Sequence, residues 1–144
     1  LPHWCLDPRR AHKFWSLHEY HYTAPVSGVL ALYEALRLIC HETLPVRFAR
    51  HEASSKALQH GLQVMGLELY APEHCRLNSV LAIKNVGGVV TKTLLAHMRE
   101  NFSVEISGAF GLDVIRVGQM GEQARPENVR RTLEAIGLSY RALG

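Results

Sequence analysis

The last third of the chain changes from a strand pattern to a helical pattern, and this change constrains the fold most. In residues 113–118, a strand places Ile115 and Val117 on one face and Arg116 on the other. From Pro126 to residue 143, apolar residues recur at helical spacing instead. Because each element has one apolar face, we expect the two to pack as layers around a core.

The other segments extend this pattern into an α+β arrangement. In chain order we expect an irregular arm, two helices, two strands, a helix, two strands and a helix. The sheet should have three or four mostly antiparallel strands, with helices covering one face. The predicted helices are 26–41, 46–65, 91–101 and 126–143, and the predicted strands are 67–70, 79–84, 104–107 and 113–118, with a loop at 108–111.

The first 41 residues differ from the rest in composition. Residues 1–25 are rich in proline, histidine and aromatics, and Pro2, Pro8 and Pro25 interrupt helix, so we predict an irregular arm with one helical turn near 11–17. The helix 26–41 is apolar nearly all round, which is typical of burial in a large core or an oligomer interface. We therefore divide the chain into the arm, 1–25, and a small C-terminal domain, 26–144.

Composition excludes several classes of protein. A net charge of +3 without a run of lysine and arginine argues against nucleic-acid binding. No apolar run reaches the ~20 residues of a membrane helix. Three widely spaced cysteines favour a reducing compartment, so we predict a cytoplasmic protein without a disulfide framework. Neither HExxH nor paired CxxC is present, and we predict no metal site.

Arg116 is the first candidate for a functional residue. It projects from the strand face opposite the core, and no acidic residue lies within two positions of it. A guanidinium held on a strand can bind a carboxylate through two parallel hydrogen bonds. Arg125 lies just before a predicted helix start, where the helix dipole also favours an anion. The alternative is that Arg116 is a solvated or salt-bridged strand arginine.

The stretch 19–25, with the sequence EYHYTAP, is the second candidate. It places the hydroxyls of Tyr20 and Thr23 immediately before a helix, where phosphate often binds. The alternative is that Thr23 caps the helix and the aromatic rings pack. No motif of a serine nucleophile, a dinucleotide site or a phosphate loop is present, and no lysine lies in a pattern typical of a cofactor-binding site.

Four stretches occur along the chain in a fixed order: YHYTAPVSGVLALYEALRLI (20–39), RFARHEASSKALQHGLQVMGLEL (47–69), VEISGAFG (104–111) and IRVGQMGE (115–122). Together they resemble the C-terminal region of class V, fold-type I aminotransferases of the alanine–glyoxylate and serine–pyruvate group. The stretch 115–125, with its second arginine, is most similar to the pyridoxamine–pyruvate branch. Ala109 departs from the pattern, because many relatives have glycine there.

The resemblance implies a pyridoxal 5'-phosphate enzyme that moves an amino group to a 2-oxo acid such as pyruvate or glyoxylate. Such enzymes are homodimers whose large domain carries the catalytic lysine, here expected upstream of Leu1, so this chain alone should be inactive. Arg116 would bind the substrate carboxylate, and Tyr20 and Thr23 the cofactor phosphate of the neighbouring subunit. In the pyridoxamine–pyruvate branch, pyridoxamine is itself the amino donor, and both Arg116 and Arg125 bind anions.

Two alternatives remain open on the sequence. A lyase on the same fold typically depends on a cysteine in a mobile loop, and Cys5, Cys40 and Cys75 do not lie in such a context. A non-catalytic α+β module that binds a carboxylate or dimerises would need no lysine. The coding sequence upstream of Leu1 distinguishes these alternatives.

Overall fold

A computed structural model describes residues 3–144, so Leu1 and Pro2 of the predicted arm lie outside the described residues. The chain divides into two compact units, the first ending at His41 and the second formed by Glu42–Gly144. This division lies at the C-terminal end of the apolar helix.

Residues 3–42 contain two α-helices, α1 (Pro8–Leu17) and α2 (Val26–Glu42), after a 3-10 turn at Trp4–Leu6. The arm thus holds a ten-residue helix where we expected one turn. Pro8 does not interrupt it, because proline occupies the first turn and the Asp7 carboxylate accepts a hydrogen bond from the Arg9 amide.

The apolar side chains of α2 are exposed around the helix. Leu30, Tyr33 and Leu36 retain half or more of their accessible surface. A helix with this composition normally buries most of that surface. The predicted burial in a larger core or an oligomer interface is therefore not provided by residues 3–144, and it stays a prediction.

The second unit is built around a three-stranded antiparallel sheet with the order β1 (Val80–Lys84), β3 (Leu112–Gly118), β2 (Ser107–Ala109). Leu81 pairs with Val117 and Ile83 with Ile115, so that all four side chains lie on the buried face. The predicted small antiparallel sheet and the inward face of β3 are confirmed.

Two of the predicted strands were wrong in detail. Residues 67–70 form only a single bridge, between Leu69 and Ile83. The strand predicted at 104–107 is β2, which begins at Ser107. Ala109 of β2 pairs with Leu112 of β3 across a two-residue turn. Gly111 has φ +70° in that turn, a conformation that glycine adopts readily, so the segment predicted as a loop is largely a tight β-hairpin.

Three helices, α3 (Leu44–Val64), α4 (Thr91–Phe102) and α5 (Pro126–Leu143), complete the core on the inner face of the sheet. Phe48 and Met65, two apolar residues of the predicted helix 46–65, are 65% and 39% exposed. The helical side chains of the buried core include Leu58, Leu62, Leu94, Met98, Val129 and Ile136.

Candidate functional site

Arg116 lies at the centre of β3, where it pairs with Ala82 on one side and Ser107 on the other. Both cross-strand neighbours are small, and neither is acidic. Ile115 and Val117 are buried, whereas Arg116 is exposed. Strand alternation therefore places the guanidinium on the face of β3 opposite Ile115 and Val117.

The Arg116 guanidinium is anchored on one side only. Its Nε donates to the carbonyl oxygen of Gly108 at 2.9 Å. Within residues 3–144 no carboxylate forms an ion pair with it, so it is not the salt-bridged arginine of the alternative interpretation. The two terminal nitrogens are left to solvent or a ligand, which is the edge that binds a carboxylate bidentately.

Arg116 lines an open cleft of about 780 Å³, which we call the β3 cleft. A second guanidinium, Arg131 of α5, lies in the same lining, together with the carboxylate of Glu105. Glu105 also forms an exposed ion pair with Arg99, at 3.7 Å. The cleft also has hydroxyl and amide side chains that can accept or donate hydrogen bonds: Ser103, Ser107, Gln123, Asn128 and Thr132.

Arg131 was not singled out from the sequence, because its spacing from Glu127 is typical of an exposed ion pair. In the structure its Nη2 donates instead to the carbonyl oxygens of Phe102 and Ser103, at 2.9 and 3.1 Å. It thereby satisfies carbonyls at the end of α4 that have no partner within the helix. The interaction joins elements nearly thirty residues apart, so no local pattern could predict it.

Arg125 lies immediately before α5 and is paired with Glu122. Its Nε and Nη2 donate to the two carboxylate oxygens of Glu122 at 2.9 and 3.2 Å. The hydrogen bond from Arg125 lowers the pKa of Glu122 from its usual value. Arg125 is not among the residues that line the β3 cleft, so the structure does not bring the two predicted arginines into one lining.

A cluster of charged side chains from α3 contacts the turn before Arg125. Arg50 binds both carboxylate oxygens of Glu42, at 2.5 and 2.9 Å, and Arg47 binds Glu42 at 2.9 Å. Arg50 also donates to the carbonyl oxygens of Gly121 and Ala124. Hydrogen bonding from Arg50, reinforced by Arg47, lowers the pKa of Glu42 to about 2.

Tyr20 and Thr23, in the first unit, lie next to each other. The Tyr20 hydroxyl is 3.0 Å from Thr23 Oγ1, and Tyr20 is 77% exposed. In the described part of the chain, no hydrogen bond from Thr23 to an amide of α2 is found, so the capping alternative is not observed. His21, between them, is buried and bonded to the Trp4 carbonyl oxygen at 2.8 Å. Two adjacent exposed hydroxyls fit the oxygen atoms of a phosphate.

Other kinds of site find little support in residues 3–144. No helix there is long and apolar enough to cross a membrane. The same residues contain no group of three or more histidine, cysteine or acidic side chains arranged to hold a metal ion. Cys5, Cys40 and Cys75 are free and exposed.

Comparison with known proteins identifies the relatives of the chain. No family model matches the sequence. It is 32% identical over 144 residues to (S)-ureidoglycine–glyoxylate transaminase of Bacillus subtilis, covering 95% of this chain and 35% of that protein. It is 37% identical over 121 residues to alanine–glyoxylate aminotransferase of Drosophila melanogaster, covering 81% of this chain and 31% of that protein. The chain therefore spans about a third of these relatives.

Solved structures agree with the sequence relatives. An alanine–glyoxylate aminotransferase from Nostoc sp. has a TM-score of 0.89 at 33% identity, covering 96% of this chain and 38% of that one. Pyridoxamine–pyruvate aminotransferase from Mesorhizobium loti has a TM-score of 0.81 at 30% identity, covering 88% and 33%. The five α-helices and three-stranded sheet match the C-terminal part of aminotransferase structures. The resemblance drawn from the four sequence stretches is confirmed.

Proposed function

We propose that this chain, a homologue of the C-terminal part of class V aminotransferases, binds the substrate carboxylate in an enzyme that transfers an amino group to a 2-oxo acid. The observation that carries the proposal is the guanidinium of Arg116, which has one anchored nitrogen and an unpaired terminal edge above the sheet. Such an edge binds a carboxylate through charge-assisted hydrogen bonds.

The names of the relatives suggest which oxo acid is the substrate. Three of the proteins described above are named for glyoxylate, and one is named for pyruvate. Each of these acids carries a single carboxylate beside a carbonyl group, so one bidentate cation is enough to orient it. We propose glyoxylate or pyruvate as the acceptor, with Arg116 as the principal anchor and Arg125 as a second cation near the site.

Pyridoxal 5'-phosphate is the cofactor that this family generally uses, and it would supply the electron sink for the reaction. Tyr20 and Thr23 fit its phosphate, because their hydroxyls are 3.0 Å apart and face solvent. Their role is to hold the phosphate through hydrogen bonds and so to fix the position of the ring. In the pyridoxamine–pyruvate branch, pyridoxamine would be the amino donor.

The organisation of the whole protein follows from the same proposal. The residues up to 25 would continue from a large domain that carries the catalytic lysine, and residues 26–144 would form the small domain. The exposed apolar side chains of α2 would be buried in a homodimer, which explains why a helix of that composition remains uncovered.

We propose that the enzyme is cytoplasmic. The relatives described above are aminotransferases and do not support the lyase or the non-catalytic module.

The test uses the full-length protein that contains this chain, supplied with pyridoxal 5'-phosphate. It is incubated with glyoxylate or pyruvate and a panel of amino donors that includes alanine and pyridoxamine. We expect glycine from glyoxylate or alanine from pyruvate, in amounts that match the donor consumed. If neither amino acid forms with any donor, the proposed activity is wrong.

A further inference from the structure

We propose that Arg50 is a positioning residue that holds residues 119–125, the segment joining the two predicted anion-binding arginines, against helix α3. We call residues 119–125 the linking segment. Arg116 precedes it by three positions on β3, and Arg125 is its last residue. This inference rests on the proposed function, because it concerns how the carboxylate site is held in place.

The contacts of Arg50 reach far along the chain. Its Nη1 donates to the carbonyl oxygens of Gly121 and Ala124, at 2.9 and 3.0 Å, which are the first and last residues of the 3-10 turn in the linking segment. These bonds span 71 and 74 residues of sequence. One guanidinium therefore bridges both ends of the turn and fixes it to α3.

Glu42 holds Arg50 in the orientation that these bonds require. It accepts from Nε and Nη2 of Arg50, so that the third nitrogen, Nη1, points at the turn. The side chains of Arg50 and Glu42 are only 13% and 15% exposed. Burial strengthens such ion pairs relative to surface pairs, and a planar guanidinium uses all three nitrogens where an ammonium offers a single point.

The charges of α3 and of the linking segment also act on one another. Hydrogen bonding to Glu42 raises the pKa of Arg50, and the charges of Arg125 and Glu122 act on Arg50 as well. With Arg47, these groups comprise three arginines and two glutamates, so one positive charge is in excess. An excess positive charge beside Arg125 favours an incoming anion.

Two further interactions hold the linking segment to the rest of the second unit. Gln119 is 2% exposed, its Nε2 donates to Ser54 Oγ at 2.7 Å, and its amide donates to the carbonyl oxygen of Ser79 at 2.7 Å. Gly121 has φ +60°, and a Cβ added there would lie 3.6 Å from Arg47 Nη2. The segment is thus fixed at its start by Gln119 and along its turn by Arg50, and its position sets that of Arg125.

The functional consequence follows from how little displacement a bidentate binding site tolerates. A displacement of about 1 Å in a group that orients a substrate can lower the rate ~100-fold. Release of the turn from α3 would let Arg125 and the end of β3 move. We therefore expect the loss of Arg50 to weaken binding of the oxo acid without any direct contact between Arg50 and the substrate.

The experiment compares Arg50→Lys and Arg50→Met with Lys56→Met in the full-length enzyme. Lys56 is the matched control, because it is an exposed cation on α3 whose partner is Glu52. We expect both Arg50 variants to raise KM for the oxo acid at least fivefold, with less than a twofold change in kcat, and Lys56→Met to change neither. Lysine keeps the charge beside Glu42, but its three donors cannot make the four hydrogen bonds of Arg50, so rescue by Arg50→Lys would overturn the positioning role.

A second readout does not depend on activity. Amide hydrogen exchange followed by mass spectrometry should show faster exchange in residues 119–125 of both Arg50 variants, with the centre of β3 unchanged. Unchanged exchange in the linking segment would overturn the inference. Exchange that is faster throughout the second unit, β3 included, would also overturn it, because the role would then be general stability.

The failure of this inference can be distinguished from the failure of the proposed function. In a protein that already carries Arg116→Gln, adding Arg50→Lys should raise KM for the oxo acid by less than a further twofold. The effects should not add, because both substitutions weaken the same site. If Arg116→Gln alone leaves KM unchanged, the proposed function fails. If Arg116→Gln raises KM but Arg50→Lys does not, only the positioning role fails.

Discussion

The Nε atom of Arg116 donates a hydrogen bond to the carbonyl oxygen of Gly108, 2.9 Å away on the neighbouring strand β2. This bond restrains the side chain before any ligand arrives, so less conformational entropy is lost when its terminal nitrogens bind an anion. The hairpin formed by β2 and β3 thus also anchors the candidate site.

The inner face of β3 should dominate stability. Ile115 is fully buried in the core, so Ile115→Ala should lower the free energy of unfolding by ~2–5 kcal/mol. Leu112→Ala is the matched control, because Leu112 is half exposed on the same strand, and it should cost under ~1 kcal/mol. Urea denaturation of both variants measures the difference. Equal costs would contradict the assigned strand face.

The contact between α3 and α5 leaves no room for a side chain at residue 61. A Cβ at Gly61 would lie 2.5 Å from Cδ1 of Leu133. Gly61→Ala should therefore destabilise the protein by ~1–3 kcal/mol, although alanine favours helix more than glycine does. In a Leu133→Ala background the same substitution should become neutral or stabilising. Thermal unfolding of the four variants tests this, and additive effects would contradict the packing.

Ser103 ends helix α4 in a left-handed conformation, with φ 51°. Glycine adopts this conformation without the steric cost of a Cβ atom, so Ser103→Gly should stabilise the protein by ~1 kcal/mol. Ser107→Gly, in strand β2, should have the opposite sign. Chemical denaturation measures both changes. A loss of stability in Ser103→Gly would contradict the assigned helix end.

Glu42 should make the free energy of unfolding depend on pH in the acid range. Its pKa is lowered from 4.5 to about 2 in the folded chain, mainly by hydrogen bonding from Arg50. A carboxyl group whose pKa is lower in the folded state stabilises it fully above the unfolded pKa, and this contribution disappears as pH falls through the folded pKa. The loss should therefore occur between pH 4.5 and about 2.

Glu42→Gln should remove this part of the pH dependence. We expect the stability of the variant relative to the wild type to be lowest near neutral pH and to recover as pH falls toward 2. Glu100→Gln, an exposed acidic residue of α4, is the control and should follow the wild-type profile. Denaturation midpoints from pH 2 to pH 7 provide the measurement. Parallel wild-type and Glu42→Gln curves would contradict the ion pair.

Some elements could be predicted from the sequence because their signals are local. The bounds of α5, Pro126–Leu143, agree with the prediction, since a proline at the first turn and a regular apolar period are both local. The face of β3 that carries Arg116 follows from alternation alone. The homologous stretches identified the family because their motifs and their order are specific in combination.

Other features could not be predicted, because their partners are distant in sequence. The start of β2 depends on pairing with β3, and the register across Ser107 and Arg116 is a tertiary property. Arg50 looks like an ordinary outer-face residue of α3, yet it binds carbonyls more than seventy residues away. The roles of Arg116, Arg125, Tyr20 and Thr23 stay predictions, because their geometry is compatible with those roles without testing them.

The most direct test of the account is the effect of Arg116→Gln on KM for the 2-oxo acid in the full-length enzyme. Arg130→Gln is the matched control, because Arg130 is an exposed arginine of α5 paired with Glu134. Loss of a charge-assisted carboxylate anchor costs ~1.5–3 kcal/mol, so KM should rise about 10- to 150-fold in Arg116→Gln and stay unchanged in the control. A KM for Arg116→Gln within twofold of the wild type would remove Arg116 from the site.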